Sequence, residues 1–186
     1  VFHMNILFKI WIFYIIAILI TPKGYISVYP SLPIYPNNER EILLVKKEIN
    51  SRTKPDVDFF KLTDKSVVYA FLPFVNENYE ELNSIITQNK IIIAILANKY
   101  SINRARPYQV CSSLNYLSSS TDKTPSYPAG HAFQAYYLAK VLGNRYPDKQ
   151  KQFAAIAENC DNVRVKAGIH YPSDGRYSKK IVDLFF

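Results

Sequence analysis

Glycine is scarce in this chain of 186 residues, with five in all, which argues against a glycine-rich nucleotide cradle and against an all-β fold. Cysteine occurs twice, at Cys111 and Cys160, too few for a disulfide scaffold and without metal-ligand spacing around either. Two unpaired, mostly buried thiols are the expectation, with one bridge between them as the alternative if the protein is exported. No dense run of Lys and Arg interleaved with stacking aromatics occurs. The net charge of +8 therefore describes a basic surface with a basic anion site rather than a nucleic-acid interface. Lys46-Lys47 and Lys149–Lys151 read as solvated helix faces. No βαβ alternation, hairpin signal or internal repeat is visible.

What is present is aromatic and helical. The chain carries 15 Tyr and 11 Phe, and its length suits one domain with a sizeable core. Ile10 to Ile20 is an unbroken apolar run, preceded by Lys9 and closed by Thr21-Pro22-Lys23. It is short for a membrane span, which needs about 20 residues, but suits the apolar part of an export signal. Residues 1–22 are therefore read as a signal peptide or N-terminal membrane anchor, with a buried first helix as a third reading. The protein is expected to be exported (periplasmic or extracellular) or anchored through this segment. Pro22, Pro30, Pro33 and Pro36 punctuate the next stretch, and residues 23–38 read as a Pro-rich linker.

Residues 39–186 form the expected helical domain. Asn37-Asn38 followed by acids marks a helix start, and Ile42, Val45 and Ile49 supply its apolar stripe. Further helices are expected from Pro55 to Phe71, Asn78 to Ile86, Lys90 to Lys99, 131 to 145, 148 to 168, and Ser173 to Leu184. The fold class is an all-α, single-domain helical bundle.

Three clusters in the second half carry the chemistry. In the first, Lys99 and Arg106 lie seven apart, so on one helix they share a face, with Asn103 nearby and Arg104 pointing elsewhere toward solvent. Pro107 biases that helix to end there. In the second, Pro128-Ala129-Gly130-His131 leads into an apolar-periodic segment. Gly130 permits close backbone approach, and a helix start there favours anions. In the third, Arg164 precedes His170 by six residues, and Asp174 follows four later, placed to hold one imidazole nitrogen. Three cations, two histidines and a carboxylate suit binding a tetrahedral oxyanion, attack by imidazole and protonation of a leaving group. Each cluster alone has a plainer reading: surface cations on a helix, a histidine at a helix start, or a cap-and-histidine pair at a junction.

Together the clusters resemble the signature of the type 2 phosphatidic acid phosphatase superfamily, which includes bacterial class A acid phosphatases and vanadium haloperoxidases. Order and internal spacings match from Lys99 through Arg106-Pro107, Pro128 through His131, and Arg164 through Asp174. The resemblance implies a bundle of the acid phosphatase/haloperoxidase type. It makes His170 the nucleophile that forms a phosphohistidine, with Asp174 orienting it. His131 would protonate the leaving alcohol and then activate water, while Lys99, Arg106, Arg164 and the Gly130 N–H bind phosphoryl oxygens. It implies a small phosphorylated substrate and no cofactor or metal. Two positions depart from the pattern: Ala129 and Val163 each stand where the family has Ser. Ala129 removes a phosphate donor and implies weakened turnover; Val163 is packing variation. With a single long apolar run, the chain is most similar to the soluble acid-phosphatase branch. A catalytically weakened phosphate- or phospholipid-binding module and a vanadate-dependent haloperoxidase remain alternatives.

Overall fold

The capping signals explain where most helices begin. In this computed structural model, which describes residues 34–186, the Asn37 side chain accepts from the main-chain N–H groups of Glu39 and Arg40 and opens α1, Asn38–Asn50. Thr53 and Asp56 form a reciprocal capping box at the start of α2, Lys54–Lys65. Asn78 and Glu81 do the same for α3, Tyr79–Ile86. Then come α4, Asn89–Ile102; a short α5, Pro107–Val110; α6, Gly130–Arg145; α7, Gln150–Lys166; and α8, Pro172–Phe185. The described residues contain these eight α-helices, three short 3-10 turns and no strand, the all-α bundle expected.

The helix expected to reach Phe71 ends earlier. Ser66 adopts an extended conformation after Lys65, and Val67–Ala70 and Leu72–Phe74 continue as 3-10 turns that bury Val67, Val68 and Phe71. At the other end of the expected range, α4 runs three residues past Lys99, to Ile102. The apolar run at Ile10–Ile20 and most of the proline-rich stretch lie outside the described residues. Among the described residues no helix is long and apolar enough to cross a membrane.

The centre of the bundle is α6, which packs most broadly on α7 and then on α8. Ala132, Ala135, Ala139 and Gly143 keep parts of its surface low, and a Cβ at Gly143 would come within 3.1 Å of Gln150 on the neighbouring helix. Phe133, Leu138 and Leu142 from α6 join Phe153, Ala157 and Cys160 from α7, Leu82 and Ile86 from α3, and Ile91 and Ile95 from α4 in the main core. Both thiols are free: Cys160 lies in that core and Cys111 is partly exposed. Val163 is buried with Phe60, Ala167 and Ile169.

Candidate active site

The first cluster is not one helical face. Asn103 turns left-handed at φ 51°, which ends α4, and its N–H returns to the Lys99 carbonyl at 2.8 Å. Lys99 therefore sits in the last turn of α4, whereas Arg106 lies in extended backbone ahead of Pro107. Lys99 is buried and its Nζ donates to the Pro125 carbonyl. Arg106 is buried too: it donates to the carbonyls of Thr124 at 2.7 Å, Ile169 at 2.9 Å and Thr121 at 3.0 Å. Its Nη1 also lies 3.2 Å from Nε2 of His170. Neither Lys99 nor Arg106 has an ion pair among the described residues. Burial lowers both pKa values, Arg106 to about 10, and Arg106 pushes Lys99 down further.

Arg104 is the largest departure from expectation. Rather than facing solvent it is 0% exposed, with Nη1 2.7 Å from Asp174 Oδ1 and Nη2 2.8 Å from Glu41 Oε2. The helical period misplaces it because the helix has already ended at Ile102.

The second cluster folds as expected, with Gly130 the first residue of α6 and His131 the next. Lys99 approaches this turn closely: a Cβ on Gly130 would stand 3.7 Å from Lys99 Cε. Ala129, at the N-cap, is fully buried and its side chain offers no cap. His131 hydrogen-bonds the main chain of Asp64, and burial lowers its pKa well below 6.5, with Arg164 and His170 adding to the effect.

In the third cluster, α7 ends at Lys166 and Gly168 takes φ +76°, turning the chain so that His170 precedes α8. Arg164 is fully buried over the Phe60 ring, donating to Thr63 Oγ1 at 2.8 Å and lying 3.4 Å from Asp64. Its Nε has no hydrogen-bond partner among the described residues. His170 Nδ1 lies 2.9 Å from Asp174 Oδ2, which also accepts the Tyr171 N–H at 2.9 Å and the Ser126 hydroxyl at 2.5 Å. Burial raises the Asp174 pKa, opposed by Arg104, Ser126 and the Tyr171 N–H. Burial lowers that of His170 well below 6.5, and Arg106, Lys99 and Arg164 reinforce the shift.

These elements enclose a pocket of about 180 Å³, lined by Lys99, Arg106, Thr121, Thr124, Gly130, His131, Gln134 and His170, with Ile92, Ile95 and Leu96 as an apolar wall. Asp174 and Arg164 are not among the lining residues. A larger groove of about 530 Å³ beside α7 and α8 contains none of the nominated residues. Sequence reasoning missed Arg104, Glu41, Ser126, Thr63 and Asp64. Of these, Arg104 carried a signal, because Pro107 disfavours helix at the residue before it and Asn103 tolerates the left-handed turn.

The pocket brings buried cations and two histidines together on an all-α bundle, and that bundle is similar in fold to a solved PAP2-type phosphatase. The solved structure of the first transmembrane PAP2-type phosphatidylglycerolphosphate phosphatase, from Bacillus subtilis, matches with a TM-score of 0.52 and 16% identity, covering 94% of this chain and 89% of that one. At that identity the likeness is one of fold. No family model and no curated protein matches the chain.

Proposed function

We propose that the protein is a phosphomonoester hydrolase that works through a phosphohistidine on His170 and needs no metal. The observation that carries this reading is the charge imbalance of the pocket. Lys99 and Arg106 are buried against main-chain carbonyls rather than carboxylates, beside an imidazole whose far nitrogen is held by Asp174. Buried cations without a directly paired carboxylate favour an anion, and a phosphoryl group supplies one.

With Nδ1–H donated to Asp174, the lone pair of His170 lies on Nε2 and faces the pocket cations. Nε2 attacks phosphorus as the bond from phosphorus to the ester oxygen breaks, and His131 gives its proton to the departing alkoxide. A substrate dianion supports that proton by raising the imidazole pKa that burial and cations lower in the free site. His131 then takes a proton from water, whose oxygen attacks phosphorus. The P–N bond breaks, releasing phosphate and restoring neutral His170. Lys99, Arg106, Arg164 and the Gly130 N–H hold the equatorial oxygens throughout.

The leaving group meets the apolar wall of Ile92, Ile95 and Leu96. Residues 10–20 serve as an export signal or tether, and the acid-phosphatase branch remains the favoured relative on the strength of the single apolar run. The decisive experiment is hydrolysis of p-nitrophenyl phosphate in excess chelator by the full chain and its His170→Ala variant. Chelator-resistant turnover that disappears in the variant supports the proposal. Phosphate binding without turnover in the unsubstituted protein would make this a binding module instead.

A further inference from the structure

Glu41 and Asp174 are two buried carboxylates joined by one guanidinium. Arg104 donates from Nη1 to Asp174 Oδ1 and to Ser173 Oγ, each at 2.7 Å, from Nη2 to Glu41 Oε2 at 2.8 Å, and from Nε to Asn38 Oδ1 at 2.9 Å. Its plane is further fixed by aromatic rings, with Tyr171 at 3.8 Å and Tyr35 at 4.5 Å. Glu41 is itself pinned by the Ser173 N–H at 3.0 Å and by the Ser173 hydroxyl. Arg104 thus has little freedom to move.

The consequence falls on Asp174, whose two oxygens do different work. Oδ2 receives His170 Nδ1, the Tyr171 N–H and Ser126, while Oδ1 receives Arg104. Asp174 is 0% exposed, so no solvent would replace a lost partner at Oδ1. A carboxylate with one oxygen orphaned in the interior rotates or takes up a proton. Either change weakens its hold on the imidazole N–H.

We infer that Arg104 is a positioning residue for the phosphoryl transfer proposed above: it holds Asp174 in the charge state and orientation that keep His170 Nδ1 protonated and Nε2 available for attack. Arg104 itself stays away from the substrate, since all three of its nitrogens are taken up by Asp174, Ser173, Glu41, Asn38 and the Pro36 carbonyl. The inference rests on the phosphohistidine reading for its kinetic consequence, and on geometry alone for its effect on His170. Lysine would be a poor substitute, because one ammonium does not reproduce the fork that spans Asp174 and Glu41.

The test uses the full chain labelled with [15N]histidine, comparing the unsubstituted protein with Arg104→Gln, Arg104→Lys and Glu41→Gln. The imidazole 15N spectrum and p-nitrophenyl phosphate kinetics are recorded on folded samples, with His170 assigned through His170→Asn. Arg104→Gln should lower kcat about 10- to 100-fold with KM nearly unchanged, as removal of a partner behind a reacting group does. It should also move the acidic limb of the kcat profile to higher pH and shift His170 from an Nδ1-protonated tautomer toward a mixture. Arg104→Lys should restore only part of these effects. If Arg104→Gln does not fold, Arg104→Lys and Glu41→Gln carry the same readout. A folded variant with the His170 spectrum and pH profile of the unsubstituted protein overturns the inference, whatever its stability. If the unsubstituted protein lacks turnover, the phosphatase reading falls, and the His170 tautomer still decides the role of Arg104.

Discussion

Nε2 of His170 lies 3.2 Å from Nη1 of Arg106, on the side of the ring that Asp174 does not hold. The imidazole is therefore gripped from both ends, by a carboxylate at Nδ1 and a cation at Nε2. Such an environment favours the neutral ring, because a second proton would meet the guanidinium directly. On the phosphoryl-transfer mechanism proposed above, an incoming phosphoryl group would free Nε2 by giving Arg106 an anionic acceptor in its place.

That arrangement sets a pH dependence of stability. His131 and His170 both have folded pKa values well below 6.5, chiefly through burial, and Lys99 is lowered in the same sense. As pH falls through 6.5 the unfolded chain takes up protons that the two folded histidines refuse, and Lys99 behaves likewise below its ordinary 10.5, so all three groups cost stability toward acid. Asp161, raised to about 7 by burial, works the other way, because the folded state takes its proton first; Asp174 shares that sense. The thermal midpoint of Asp161→Asn should therefore fall more steeply from pH 7 to pH 5 than that of the unsubstituted protein. Scanning fluorimetry checks this, and parallel curves would contradict it.

Ala129→Ser separates two roles for one hydroxyl. Ala129 is the N-cap of α6 in extended backbone, a position where Ser is worth about 0.5–2 kcal/mol over Ala. By resemblance the same hydroxyl would also donate to phosphate. One donor of that kind can be worth about 10²–10³ in rate, and with three cations retained a gain in kcat/KM of about tenfold is expected. The thermal midpoint and kcat/KM should both rise. A higher midpoint with unchanged kcat/KM would reduce the hydroxyl to a cap.

Gly175 follows Asp174 and has no room for a side chain. A Cβ there would stand 1.9 Å from both carboxylate oxygens of Asp161 on α7. Gly175→Ala must push the first turn of α8 and the Asp161 side chain apart, at a cost of about 1–3 kcal/mol. Because that turn carries Asp174, hydrolysis should fall along with the thermal midpoint. Adding Asp161→Ala should recover most of the midpoint; failure to recover would place the strain elsewhere.

The fold was legible wherever local chemistry decides it. Asn37, Thr53 and Asn78 cap helices with their own side chains, and the His170–Asp174 spacing gives its contact within one turn. What was not legible depends on distant partners. Glu41 reads as a first-turn acid on an exposed helix, yet it is 4% exposed because Arg104 and Ser173 arrive from 63 and 132 residues away. Ser126 looks like a turn residue until Asp174 is brought against it. Arg104 and Arg106 were placed by a helical period that Asn103 interrupts, so the spacing of seven from Lys99 was correct as a pattern and misleading as geometry.

The short segment from Arg104 to Arg106 has a consequence for how this chain tolerates insertions and deletions. The two arginines sit two residues apart outside any helix; one takes Asp174 from behind and the other takes His170 from the front. Arg106 is extended and Arg104 is fixed by its own partners, so adding or removing a single residue at Ala105 would turn one guanidinium away from the pair it helps to enclose. This tripeptide must therefore keep its length.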